Sequence, residues 1–118
     1  MGYESKLFIV RKTNVRRNDD IWAEKIAEFD LAKCPQVADC MRRQPLTDCY
    51  IYADDGDTRI YEDRYGNNLT EAPLSTVIAA IEKAMQNGYD YWRLPPVLAA
   101  LKAFEAQNMN LTVLHYGY

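Results

Sequence analysis

A chain of 118 residues in which 48% of side chains are apolar and 26% charged has the size and balance of one folded domain. Two domains would each be too small to bury a core, and the apolar content excludes the low-hydrophobicity, high-charge composition of disorder. The net charge of −3 is unevenly placed: residues 1–17 carry five bases against Glu4, whereas residues 18–72 carry thirteen acids against six bases.

That balance argues against direct nucleic-acid binding, which usually shows as a basic excess over the whole domain. The pairs Arg11-Lys12, Arg16-Arg17 and Arg42-Arg43 are read as solvated faces rather than as one patch. No run approaches the roughly 18 apolar residues of a membrane span, and the first twelve residues lack the apolar centre and small-residue site of an export signal. The expectation is an unexported, cytoplasmic protein with no membrane partner. Cys34, Cys40 and Cys49 are odd in number and fit neither a disulfide framework nor zinc-knuckle spacing, so they are expected as reduced thiols packed as small hydrophobes.

In chain order, Lys6-Leu7-Phe8-Ile9-Val10-Arg11 is short and rich in β-branched and aromatic residues, which predicts a strand buried on both faces. After the turn residues Asn18-Asp19-Asp20, Ile21 to Lys33 fits two patterns. As a helix it would align Trp22, Ile26 and Phe29; as a strand it would complete a hairpin with Ala23, Lys25, Ala27, Phe29 and Leu31 on one side. The turn ahead of it and the missing cap favour the strand. Gln36 to Arg43, between Pro35 and Pro45, reads as a short helix.

The run Cys49-Tyr50-Ile51-Tyr52-Ala53-Asp54-Asp55-Gly56-Asp57-Thr58-Arg59-Ile60-Tyr61-Glu62 has period-two segments around Asp55-Gly56, which tolerates the positive φ angles of a tight type I′ turn. The register expected from a two-residue loop sets Ile51 opposite Ile60 on one face. Tyr50 then faces Tyr61, and Tyr52 faces Arg59, on the other. A turn follows at Tyr65-Gly66-Asn67-Asn68. Leu74, Val77, Ile78, Ile81, Ala84 and Met85 recur at helical spacing until Asn87-Gly88 caps the pattern. Pro95-Pro96 opens a second helix with Val97, Leu98, Leu101 and Phe104 on one stripe, and Leu111-Thr112-Val113-Leu114-His115 reads as a closing strand. The order β-β-(short α)-β-β-α-α-β predicts an α+β fold in which helices cover one face of a mostly antiparallel sheet.

Chemistry-bearing constellations are few. Asp54, Asp55 and Asp57 gather three carboxylates at one tip, but aligning Gly56 with the sixth position of a calcium loop puts Ile51 and Ala53 at ligand positions, so turn chemistry is the better account. His115 is the only histidine and has no acid near it in sequence; a strand histidine packed at a sheet edge, or bonded to backbone, is favoured over a catalytic base. No nucleophile elbow, phosphate loop or zinc-binding helix occurs. The expectation is therefore a non-enzymatic protein without metal or other cofactor. Tyrosine is the compositional outlier, nine in all, and it is enriched where proteins meet proteins. The expected binding residues are Tyr50, Tyr52, Asp54, Asp55, Asp57, Arg59 and Tyr61. A small-ligand or nucleotide site, with Arg59 and Tyr61 holding an anion, is the alternative. A small hydrolase or nuclease built on His115 and a carboxylate ranks last.

In its motifs Met1-Gly2-Tyr3-Glu4-Ser5, Tyr50-Ile51-Tyr52-Ala53-Asp54-Asp55-Gly56 and Leu114-His115-Tyr116-Gly117-Tyr118, the chain resembles, over its full length, small proteins encoded by phages and prophages of Gram-positive gut bacteria. The resemblance carries over no functional residue. It implies an action by binding a host protein, host-defence systems of the CRISPR type among the targets, where acidic surfaces can compete with nucleic acid.

Overall fold

The long first hairpin organises the sheet in a computed structural model of the chain, which describes residues 4–17, 20–32, 37, 39–40, 49–88, 91–107 and 110–118. Strand β1 spans Ser5–Arg17 and β2 spans Asp20–Ala32, antiparallel to it, so of the segment from Ile21 to Lys33 the described residues, through Ala32, form a strand as expected. The remaining elements are β3 (Cys49–Tyr52), β4 (Arg59–Ile60), β5 (Thr70–Pro73), α1 (Leu74–Gln86), α2 (Leu94–Ala106) and β6 (Thr112–Gly117). Of the predicted helix from Gln36 to Arg43, Val37, Asp39 and Cys40 are helical and the rest lies outside the described residues.

The six strands form one sheet in the order β4-β3-β2-β1-β6-β5. Every pairing is antiparallel except β2 with β3, where Ile21 meets Cys49 and Trp22 meets Tyr50 in parallel register. The α+β class with helices on one face of a mostly antiparallel sheet holds. Strand β5 was not foreseen; its four residues, Thr-Glu-Ala-Pro, carry little strand propensity and are recruited by pairing Ala72 with Val113 and Thr70 with His115. Pro73 ends the strand and serves as the N-cap position of α1.

One face of the sheet carries the main core. Leu7 and Ile9 of β1, Leu31 of β2, Ala72 of β5 and Val113 of β6 pack against Val77, Ile78 and Ile81 of α1 and Leu94, Val97 and Leu101 of α2. Each such side chain taken fully out of water contributes roughly 1.5–3 kcal/mol, which is why two helices of ordinary propensity hold here. The predicted C-terminal stop of α1 is realised: Gly88 takes φ +86° and its N–H donates to the Met85 carbonyl at 3.1 Å.

A bulge in the first hairpin creates a second, smaller core on the reverse face. Ile9 pairs with Ala27 but Val10 pairs with Lys25, so Ile26 has no opposite number and the alternation of β2 reverses there. The expected single side of Ala23, Lys25, Ala27, Phe29 and Leu31 is thereby split. Ala27, Phe29 and Leu31 belong to the helix-side core, while Ala23 joins Phe8, Val10, Ile51, Leu69 and Leu114 on the other side, with Lys25 lying over the Phe8 ring. The segment linking β4 to β5 closes this second core. It is itself a small hairpin, in which Glu62 and Asn68 bridge and the Leu69 N–H donates to the Tyr61 carbonyl at 3.0 Å. The sheet therefore curls until its two edges approach each other, with Ile51, Ile60 and Leu69 turned inward.

Candidate functional site

Alternation in a strand decides what lies outside this curl. With Ile51 opposite Ile60 and both in the reverse-face core, Tyr52 opposite Arg59 must point the other way, together with Tyr50 and Tyr61. That register is the one expected from sequence. The loop differs: the Ala53 N–H donates to the Thr58 carbonyl at 2.8 Å and Gly56 N–H to the Ala53 carbonyl at 2.9 Å, so four residues, Asp54 through Asp57, make the connection instead of two. Gly56 still supplies the positive φ, +78°.

The reason for the longer loop is the Asp55 side chain. Its Oδ1 accepts from the backbone N–H of Asp57 and of Thr58, both at 2.8 Å, and its Oδ2 accepts from the Thr58 hydroxyl at 2.5 Å. These bonds, the Thr58 hydroxyl first, hold the Asp55 carboxyl below its ordinary pKa. Asp55, expected as a binding residue, is thus committed to the turn. Asp54 is fully exposed and lies 3.6 Å from Lys25, and the carboxylate of Asp57 has no ion pair among the described residues. The three acids share a tip without converging on one point: no group of three His, Cys, Asp or Glu side chains among the described residues could hold a metal ion.

Behind the tip the tyrosines form a layered cluster. Tyr50 is completely buried, which corrects its expected place on the outer surface; it is the floor on which the others stand. The ring of Tyr52 meets it edge-on at 5.3 Å, Tyr61 lies at 5.6 Å, and the Arg59 guanidinium sits 4.8 Å from its centroid. Arg59 also donates to the Tyr61 hydroxyl, the main reason its pKa is raised. Tyr61 remains 40% exposed, and Tyr52 and Arg59 are half-buried.

Trp22 completes the cluster, edge-on to Tyr52 at 5.8 Å. It was missed as a site residue because only the parallel pairing of β2 with β3 brings it beside residues nearly thirty positions away, and no local pattern announces such a contact. The outward surface is therefore Trp22, Tyr52, Arg59 and Tyr61, bordered by Asp54 and Asp57. Among the described residues, none of these rings belongs to the core packed against α1 and α2.

His115 stands in a strand, as expected, but in β6 between β1 and β5, so of the two expected settings the sheet edge does not apply. Its Nε2 is 2.9 Å from the Ser5 hydroxyl, and both residues are buried, at 6% and 1% exposure. The two side chains form a hydrogen bond across the β1–β6 pairing, both withdrawn from solvent. The half-buried Cys40 thiol donates to the Val37 carbonyl at 2.9 Å; Cys34 lies outside the described residues. A cleft of about 320 Å³ beside it is lined by Asp39, Cys40, Ala80, Lys83, Ala84 and Asn87. No helix among the described residues is long and apolar enough to cross a membrane.

No family model matches the chain, and neither the curated proteins nor the solved structures include a match.

Proposed function

We propose that the protein is a non-enzymatic binding protein that docks on another protein through the outer face of the β3–β4 hairpin. The observation that carries this reading is the arrangement of Tyr52, Tyr61 and Arg59 around a buried Tyr50. Rings fixed in this way lose little conformational freedom on binding, and partly exposed tyrosine and arginine are the residue types that dominate protein interfaces. The alternative, an anion held by Arg59, is less favoured because that guanidinium is already engaged by Tyr50 and Tyr61. The resemblance to phage-encoded proteins makes a cytoplasmic protein of a bacterial host the partner to test first, with defence complexes of the CRISPR type among the candidates.

The test is capture from a host lysate with the wild-type protein and with a Tyr52→Ala/Tyr61→Ala double variant. Tyr50 is left intact because removing a buried ring would confound binding with folding. A protein held by the wild type and lost by the double variant supports the reading. The same catch with both removes it.

A further inference from the structure

We infer that a second copy of this chain covers the outward face of α2, the two helices packing antiparallel about a two-fold axis near Ala99. The inference stands apart from the hairpin reading and draws on other residues. It starts from a contrast between two helices on one sheet. The exposed positions of α1 include Ser75, Lys83 and Gln86, an ordinary solvated face. In α2, by contrast, Pro95, Pro96, Ala99, Ala103 and Ala106 are exposed at spacings of three and four, opposite the buried Leu94, Val97 and Leu101. A helix apolar all round ordinarily sits buried, and here only one side is covered among the described residues. Lys102, the one charge within the row, leans onto Glu82 of α1 at 3.4 Å.

Trp92 prolongs the row. It is 70% exposed, the most open large apolar side chain among the described residues, and Arg93 after it already has helical dihedrals, φ −77° and ψ −23°. The Arg93 guanidinium lies 5.1 Å from the indole and donates to the Asp30 carbonyl at 2.8 Å, so the ring is held and loses little freedom when covered.

Size and charge name a second copy as the occupant. The row is bulky at its start, with Trp92 and Pro95, and small at its end, with Ala103 and Ala106. An antiparallel copy centred on Ala99 sets Trp92 level with Ala106 and Pro95 level with Ala103, twice over, so bulk meets space. A parallel copy would set bulk against bulk. The charges agree: Glu105 sits exposed in the last turn of α2, where the helix dipole disfavours a carboxylate and no basic side chain shares the turn. The start of the same helix has no acid in its first turn and no side-chain cap. Antiparallel pairing brings each Glu105 level with the positive helix start of the other copy. One face of this 13-residue helix measures about 20 Å by 10 Å, and with the indole it withdraws roughly 400 Å² per copy. The pair then buries about 800 Å², the low end for specific contacts, which makes the dimer weak and concentration-dependent.

Sedimentation velocity over about 5–500 μM tests this, with an expected passage from monomer to dimer centred at roughly 100 μM. Every residue of the face counts twice, so Trp92→Ala should weaken pairing about tenfold. Ala99→Glu sets two carboxylates against each other on the axis and should leave the chain monomeric throughout, and Ala103→Glu repeats the test off the axis. Asn68→Asp adds the same charge to the link between β4 and β5, on the reverse side of the sheet, and should move the midpoint less than about twofold, as should Tyr52→Ala/Tyr61→Ala. Circular-dichroism melting confirms that each variant folds. A wild type that stays monomeric overturns the inference. So does a dimer that survives both glutamate variants or is lost with the tyrosine pair, because pairing then uses another face. Flotation with phosphatidylcholine vesicles supplies the last arm: a monomer that floats, and stops floating as Ala99→Glu, gives the face to lipid and likewise overturns the inference. The hairpin reading stands or falls separately, on capture through Tyr52 and Tyr61.

Discussion

Arg59 lies 4.8 Å above the centre of the Tyr50 ring, so the one base of the β3–β4 hairpin rests on its one fully buried tyrosine. This contact divides the tyrosines into a floor and a surface, and the two should respond differently to mutation. Tyr50→Ala removes a buried ring and is expected to lower stability by about 3–5 kcal/mol. Tyr61→Ala should cost about 1 kcal/mol or less, because much of that ring stays in water in the folded state. Urea unfolding of the two variants measures the contrast, and equal losses would show that Tyr61 belongs to the core.

Asp55 gives the hairpin tip a pH dependence whose sign follows from its bonds. Its carboxyl is held below the ordinary value of 3.8, so the ionised form is favoured by folding. The stabilisation is complete above the unfolded pKa and is lost as pH falls through the folded one. The melting temperature of Asp55→Asn should therefore lie below that of the wild type at pH 7, with the gap narrowing once pH drops beneath about 4. A gap that stays constant down to pH 2 would mean that the charge of Asp55 contributes nothing.

Ser5 and His115 form a buried polar contact between two strands. Ser5→Ala withdraws the hydroxyl from the Nε2 atom and should destabilise the fold by about 1–3 kcal/mol, the usual cost of removing one partner from a buried polar pair. Chemical denaturation at pH 8 checks this, and an unchanged midpoint would show that the imidazole is satisfied without Ser5.

Deleting Ile26 tests the bulge. Without the extra residue Ile9 would still pair with Ala27 and Val10 with Lys25, so the flanking residues keep their faces and Ala23 stays in the reverse-face core. Near-UV circular dichroism should therefore keep the signal of the ordered Trp22 environment. Loss of that signal would mean that the pairing depends on the bulge.

Elements whose signals are local were legible in the residues alone. Period two around Asp55-Gly56 gave the pairing of Ile51 with Ile60, since alternation and turn chemistry act within a dozen residues. The 3.6-residue stripes of Leu74 to Met85 and of Val97 to Phe104 gave both helices for the same reason. The rest is non-local: the recruitment of Thr70–Pro73 as a strand, the parallel meeting of Trp22 with Tyr50, and the side of the sheet on which each β2 residue falls. In each case the deciding free energy comes from burial against residues far along the chain. Tyr50 shows the difference most plainly, because its neighbours in sequence place it on the aromatic face, whereas Tyr52, Tyr61 and Arg59 packing over it remove it from solvent.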